Sequence, residues 1–274
     1  MEKPNKPLLN FCLYLLFCIL SFYNQLYHFL ANFSMPTNTN SEEYRLAIAK
    51  RFQAIIPLPF QLVAQVISMV FHPLFLLSYA YILLAYFNPF LFGEASTSRI
   101  FVVTSNTSKG IWFINLVLFS CIIPLVGVLL MRGLGMIRSL ALDTQDERKI
   151  PYVLTGMFYM AMVAQNNYNT SLPLEIKIFT LGATIALFVA FFINLFTKIS
   201  MHTVGMGGFL AMLIIIIARS YAGAENLFIF GILSCGLVGT SRLLLGAHQT
   251  SDIYGGYFVG FLSQFVALNY MFST

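Results

Sequence analysis

Seven apolar stretches follow one another after residue 55, at about 62–87, 111–131, 152–168, 178–197, 203–219, 227–246 and 253–272, and each approaches the length of a membrane crossing. A helix needs about 20 mainly apolar residues to traverse about 30 Å of hydrocarbon. In that solvent every backbone N–H and C=O must be bonded within the protein, so only helices and closed barrels can span it. The chain lacks the ten-residue alternation of barrel strands. The pattern therefore predicts an all-α, polytopic membrane bundle of about seven core transmembrane helices. Composition closes the soluble alternative: 58% of the 274 residues are apolar and 9% are charged, against about a quarter charged in a soluble domain.

The segment before these stretches reads differently. Lys3 and Lys6 precede the apolar run Leu8 to Tyr23, which resembles a signal anchor more than a cleaved leader because no small-residue cleavage site follows. A polar linker then runs through Met35-Pro36-Thr37-Asn38 to Glu43, and Met35 could itself serve as a start. Residues 1–44 are accordingly read as an N-terminal hydrophobic extension with its linker, and 45–274 as one membrane-embedded domain. Whether residues 1–34 form a genuine extra helix or precede the true start stays open. The four cysteines, Cys12, Cys18, Cys121 and Cys235, lie in apolar stretches without metal or redox spacing, so they are read as space-filling.

The net charge of +5 is spread thinly along the loops, which fits anchoring at lipid headgroups and excludes a nucleic-acid surface. The expected partners are membrane lipids; oligomeric state is not legible. Two regions gather ionisable groups, and charge at membrane depth is costly unless it is paired or faces water. The first, 132–151, holds Arg132, Arg138, Asp143, Asp146, Glu147, Arg148 and Lys149. In the second, Ser241-Arg242-Leu243-Leu244-Leu245-Gly246-Ala247-His248-Gln249-Thr250-Ser251-Asp252, one apolar span gives way to the next, with Gly246 available for the bend. His248 and Asp252 stand at i and i+4, so a helix places them on one face, where the carboxylate can orient the imidazole for nucleophilic work. Arg242 adds a fork-shaped cation suited to phosphate oxygens. Between two earlier spans, Lys198-Ile199-Ser200-Met201-His202 with Gly205, Gly207 and Gly208 just beyond makes a candidate anion pocket at a helix start.

These residues carry a resemblance. Ser241, Arg242, His248 and Asp252 match at every fixed position the third signature, Ser-Arg, five residues, His, three residues, Asp, of the type-2 phosphatidic acid phosphatase and vanadium haloperoxidase superfamily. Ser200 and His202 match half of its Pro-Ser-Gly-His signature, with Ile199 and Met201 in the other two places. Arg148-Lys149-Ile150-Pro151 is similar to a degenerate version of its first signature. Two apolar spans separate each of these from the next, which puts all three on one side of the membrane.

The resemblance implies a metal-independent membrane phosphatase, with no cofactor, acting on a lipid phosphate or diphosphate of the phosphatidic acid, phosphatidylglycerol phosphate or polyprenyl diphosphate class. It implies that His248 attacks phosphorus and forms a phosphohistidine, that Asp252 orients it, and that His202 protonates the leaving oxygen and then activates water. Arg242, Ser200, Arg148, Lys149 and the amides near Gly205 would hold the phosphoryl oxygens. The alternatives are a lipid phosphotransferase and a non-catalytic lipid-phosphate binder or transporter with a degenerate site.

Several polar residues have plainer readings. His72, before Pro73, is read as a helix-kink histidine bonded to a carbonyl, and Glu175 and Glu225 as solvated loop ends on the opposite face. Basic residues divide six against six between the two sides once motif candidates are set aside, so the positive-inside rule decides nothing. With Lys3 and Lys6 kept in the cytoplasm, the chain is expected in the cell (inner) membrane with the site facing outward.

Overall fold

The structure, a computed structural model, describes residues 55–87, 108–138, 145–168, 172–218 and 224–273; the proposed extension 1–44 lies outside them. Every regular element among the described residues is a helix. In chain order they form α1 (Leu58–Val70), α2 (Pro73–Phe87), α3 (Ser108–Val117), a π-helical turn at Leu118–Ile122, α4 (Ile123–Gly133), α5 (Gln145–Tyr168), α6 (Leu174–Asn194), α7 (Met201–Ala218), α8 (Ala224–Leu244) and α9 (Thr250–Ser273).

Among the described residues, four helices are long and apolar enough to cross a membrane: Lys109–Gly133, which joins α3, the π turn and α4, then Leu174–Asn194, Met201–Ala218 and Asn226–Leu244. The expected continuous span at 62–87 is instead a broken pair, α1 and α2, bent by 63°. Proline explains the break. Pro73 has no N–H to give, and its ring disfavours helical geometry at His72; the His72 amide consequently reaches back only to Met69 O, at 3.3 Å. Taken together the pair would make a fifth span. At 24 residues each, α5 and α9 are also long enough, but Gln165, Asn166 and Asn167 in α5 and Asp252, Gln264 and Asn269 in α9 make them more polar.

The centre of the bundle is α7, which is apolar on all sides and buried along most of its length. It lies against α9 over the longest interface in the bundle, with α6, α8 and α2 completing the surround. The α7–α9 approach depends on missing side chains. A Cβ at Gly260 would run into the Val204 carbonyl, one at Gly207 into the Tyr257 carbonyl, and one at Gly256 into Thr203. Small residues at such a seam let backbones approach closely, which is how helices gain packing contact in lipid. The Ser200 amide then donates to Asp252 O at 3.2 Å, tying the start of α7 to the start of α9. Cys121 and Cys235 are buried free thiols, while Cys12 and Cys18 lie outside the described residues.

One sequence reading changes here. Glu175 is not a solvated loop end; it is 4% exposed in the first turn of α6, where the positive end of the helix dipole favours a carboxylate. The side chain of Glu225 lies outside the described residues.

Candidate functional site

All of the candidate residues fall at one end of the helices: Arg148 near the start of α5, His202 at the start of α7, Ser241 and Arg242 near the end of α8, His248 in the α8–α9 turn and Asp252 in the first turn of α9. Gly246 makes the turn with φ of 59°, a left-handed value that glycine adopts without a Cβ penalty. His248 Nδ1 lies 3.4 Å from Asp252 Oδ2, and the same oxygen accepts the Gln249 amide at 3.1 Å. The carboxylate is thus shared between the imidazole and the helix start, and it is buried. Burial pushes the His248 imidazole down to about 4; Arg242 and Lys198 push the same way, against the pull of Asp252.

His202 is held by the broken span. Bending at His72 and Pro73 leaves the Ser68 carbonyl among the last acceptors of α1, without the intrahelical donor it would have in a continuous helix. His202 Nε2 lies 3.0 Å from that oxygen. A carbonyl can only accept, so Nε2 carries the proton and Nδ1 is the nitrogen left for chemistry. The Ser68 side chain also belongs to the site. Arg242 Nη1 donates to Ser68 Oγ at 3.4 Å, Ser68 Oγ lies 3.1 Å from Ser241 Oγ, and Ser241 donates to Val238 O at 2.8 Å. Because the Ser241 proton is spent on Val238, the Ser68 hydroxyl donates to Ser241, and one directed chain runs from the guanidinium into α8.

His72 is indeed at a kink, but it is bonded differently from the sequence reading. Its Nδ1 accepts the Leu74 amide at 3.4 Å instead of donating to a carbonyl, and its ring stands edge-on to His202. Neither Ser68 nor His72 belongs to a recognisable spacing with the motif residues. The available signal was a histidine and a serine four residues apart, just before a proline, in an otherwise apolar stretch.

A cavity of about 900 Å³ opens among these groups. Arg148, Lys198, Arg242, His72, His202 and His248 line it, and no Asp or Glu is among its lining residues. It then descends between Leu77, Leu187, Tyr159 and Phe179 to Gln264. Gln264 Nε2 donates to Phe179 O at 3.4 Å, whereas its Oε1 is buried without a partner.

Not every expected residue joins this cavity. Arg148 and Lys149 lie on α5 and not in a loop, because the helix already begins at Gln145. Successive helical residues point about 100° apart, so Arg148 is buried against Asn194 Oδ1 at 3.0 Å while Lys149 is exposed and does not line the cavity. Ser200 immediately precedes α7 yet caps nothing: its hydroxyl is buried without a partner and does not reach the cavity wall. Gly205 lines the cavity, but its amide is not an open donor. It sits one turn into α7, where the i−4 carbonyl takes the N–H, and a Cβ there would press on Leu76 and Pro73 of α2. The amides that α7 itself leaves unused belong to Met201, His202 and Thr203. Lys198, which opens the 198–202 stretch but has no task of its own in the sequence reading, lines the cavity beside His248.

No family model, curated protein or solved structure matches this chain.

Proposed function

We propose that the protein is a membrane phosphatase that hydrolyses a lipid phosphate or diphosphate through a phosphohistidine on His248, without a metal. The observation that carries the reading is the cavity: three cations and three imidazoles gather at one end with no carboxylate among the lining residues, and the walls below them are mainly apolar down to Gln264. That is the complement of an anionic headgroup on a hydrocarbon chain. In this reading all seven helical segments cross the membrane, α5 and α9 included, and the site faces outward in the cell membrane.

The proposed chemistry assigns one task to each group. Asp252 accepts the Nδ1 proton of His248, leaving Nε2 to attack phosphorus in line with the departing oxygen. His202 acts first as an imidazolium: with Nε2–H held by the Ser68 carbonyl, it gives its second proton, on Nδ1, to that oxygen, and the neutral Nδ1 then takes one from the water that cleaves the phosphohistidine. Arg242, Lys198 and Arg148 hold the equatorial oxygens, where charge stabilisation supplies most of the acceleration. If an acceptor alcohol replaces water, the same intermediate makes a phosphotransferase.

The position of Lys149 favours one further reading. With one of the two first-signature cations outside the cavity, the site could bind a lipid phosphate without turning it over. Inorganic phosphate released by the detergent-solubilised protein, with and without an added acceptor alcohol, separates the three. Release that is unchanged by acceptor supports the hydrolase, diversion into a phosphorylated acceptor supports the transferase, and binding without either product supports the binder. Orientation is read by a cysteine placed at position 145, which an impermeant reagent should label in intact cells.

A further inference from the structure

A second hollow meets the site from the other side of α6. It lies between α6 and α9, has a volume of about 540 Å³, and is walled by apolar positions such as Ile185, Val189, Phe258, Leu262 and Val266. It ends at Lys198, Ile199, Ser251 and Asp252. Lys198 and Ile199, in the short connection between α6 and α7, are the two lining residues that this groove and the interior cavity have in common. A cation therefore stands where two apolar compartments converge on the catalytic histidine.

Their lengths suit the same kind of occupant. From Asp252 to Val266 the groove follows α9 for about 21 Å, and from Arg148 to Tyr159 the interior cavity follows α5 for about 16 Å, at 1.5 Å per residue. Each equals or exceeds the depth of one leaflet, about 15 Å of hydrocarbon. A substrate with a single chain fills one compartment and leaves the other to bulk lipid. A substrate whose two chains diverge just below the phosphate fills both, with the headgroup over Lys198. Gly255 adds to this picture: a Cβ built there meets nothing within 4 Å, so a half-buried position on the groove wall is left open by the absence of a side chain.

We infer that the site selects a lipid phosphate with two hydrocarbon chains, one lodged in the interior cavity and the other in the α6–α9 groove. The inference rests on the reading of the cavity as a lipid-phosphate site and narrows it to the two-chain class.

The test uses the full-length protein in mixed micelles at matched surface concentrations of dioleoyl phosphatidic acid, its one-chain lyso analogue and a polyprenyl phosphate. Wild type should show kcat/KM at least about ten-fold higher on the two-chain lipid, since remote binding energy is realised at the reacting centre. Gly255→Leu, whose Cβ enters open space on the groove wall, should reduce the two-chain value to the one-chain value and leave the latter alone. Leu262→Trp should do the same, whereas Gly236→Leu on α8, also in open space, should change neither. Equal turnover of one- and two-chain lipids by wild type, or an equal loss on both in well-folded Gly255→Leu, overturns the inference. Binding of non-hydrolysable phosphonates with one or two chains is measured in parallel. Tighter two-chain binding that Gly255→Leu abolishes sustains the groove even if no turnover occurs, in which case only the hydrolase reading falls.

Discussion

The ring of His72 stands edge-on to that of His202, with centroids 5.2 Å apart and planes at 85°. His202 also bonds the Ser68 carbonyl, so two residues of the α1–α2 bend hold one imidazole from two sides. If His72 acts by packing, its shape matters more than its nitrogens. His72→Phe should keep most of wild-type kcat, and His72→Ala should lower kcat about ten-fold, equivalent to about 1.4 kcal/mol of transition-state stabilisation. A His72→Phe variant as inactive as His72→Ala would instead assign the ring a proton-transfer role.

The covalent intermediate gives the sharpest prediction. His248→Ala should abolish turnover with the bundle still folded, because the side chain faces the cavity and not the apolar packing. His202→Ala should lose about 10²–10⁴ in rate on an ordinary phosphoester, yet an activated phosphoester should phosphorylate it and then stall. The check is acid-labile, base-stable phosphate on His202→Ala that disappears when His248 is also removed. Phosphate that persists on the double variant would falsify the assignment of the nucleophile.

Asp252→Asn should retain part of the activity. One amide oxygen can still accept from Gln249 or from His248, though no longer with a full charge on both. The loss should appear in kcat and not in KM, since Asp252 orients the imidazole without lining the cavity.

Acid sensitivity follows from the lowered pKa of His248. With the imidazole at about 4 in the folded protein, the nucleophile stays neutral from about pH 8 to about pH 5. Single-turnover phosphorylation by an activated phosphoester should be flat over that range and fall as pH drops through about 4. The unfolded imidazole takes its proton near 6.5, so the unfolded state binds more protons between these values. Stability should therefore decline as pH falls from about 6.5 toward about 4, and the shift in thermal midpoint should be smaller in His248→Asn.

Two glycines of one bundle should respond oppositely to alanine. Gly260→Ala drives a Cβ into the Val204 carbonyl, backbone against backbone, so α7 and α9 must separate; a cost of about 2 kcal/mol or more and loss of activity are expected. Gly236→Ala meets nothing and should be neutral or stabilising by up to about 1 kcal/mol. Thermal midpoints of the two purified variants in one detergent test the contrast. Near the cavity floor, Gln264→Met removes a buried acceptor that has no donor together with a long bond to Phe179 O, and the same assay should show no loss and a gain of at most about 1 kcal/mol.

The helical class was legible because membrane hydrocarbon admits few structures, and the third signature because its four residues cluster around one helix junction. What sequence spacing does not carry is the rotation and bending of helices. Arg148 and Lys149 look equivalent side by side, and only the start of α5 at Gln145 decides that Arg148 turns inward. Ser68 meets Ser241 across 173 residues because α1 packs on α8, and no local pattern announces a pairing of that range. The span expected at 62–87 reads as continuous by hydropathy, yet Pro73 breaks it, and the break is what frees the Ser68 carbonyl for His202. The groove was invisible for a related reason: α6 and α9 are separated in the chain by two other helices.

The bend at Pro73 also makes α1 a lever. Its outer face exposes Leu58, Phe60, Val63, Val66 and Met69, while its last turn grips His202, Arg242 and Ser241 through one serine. A continuous helix would spread a change of tilt along the whole span; a short arm hinged beside the histidines delivers it to them. Under the proposed function, a change in the tilt of α1 would reach His202 and Arg242 through that single turn, and the thickness of the surrounding bilayer would bear on the site.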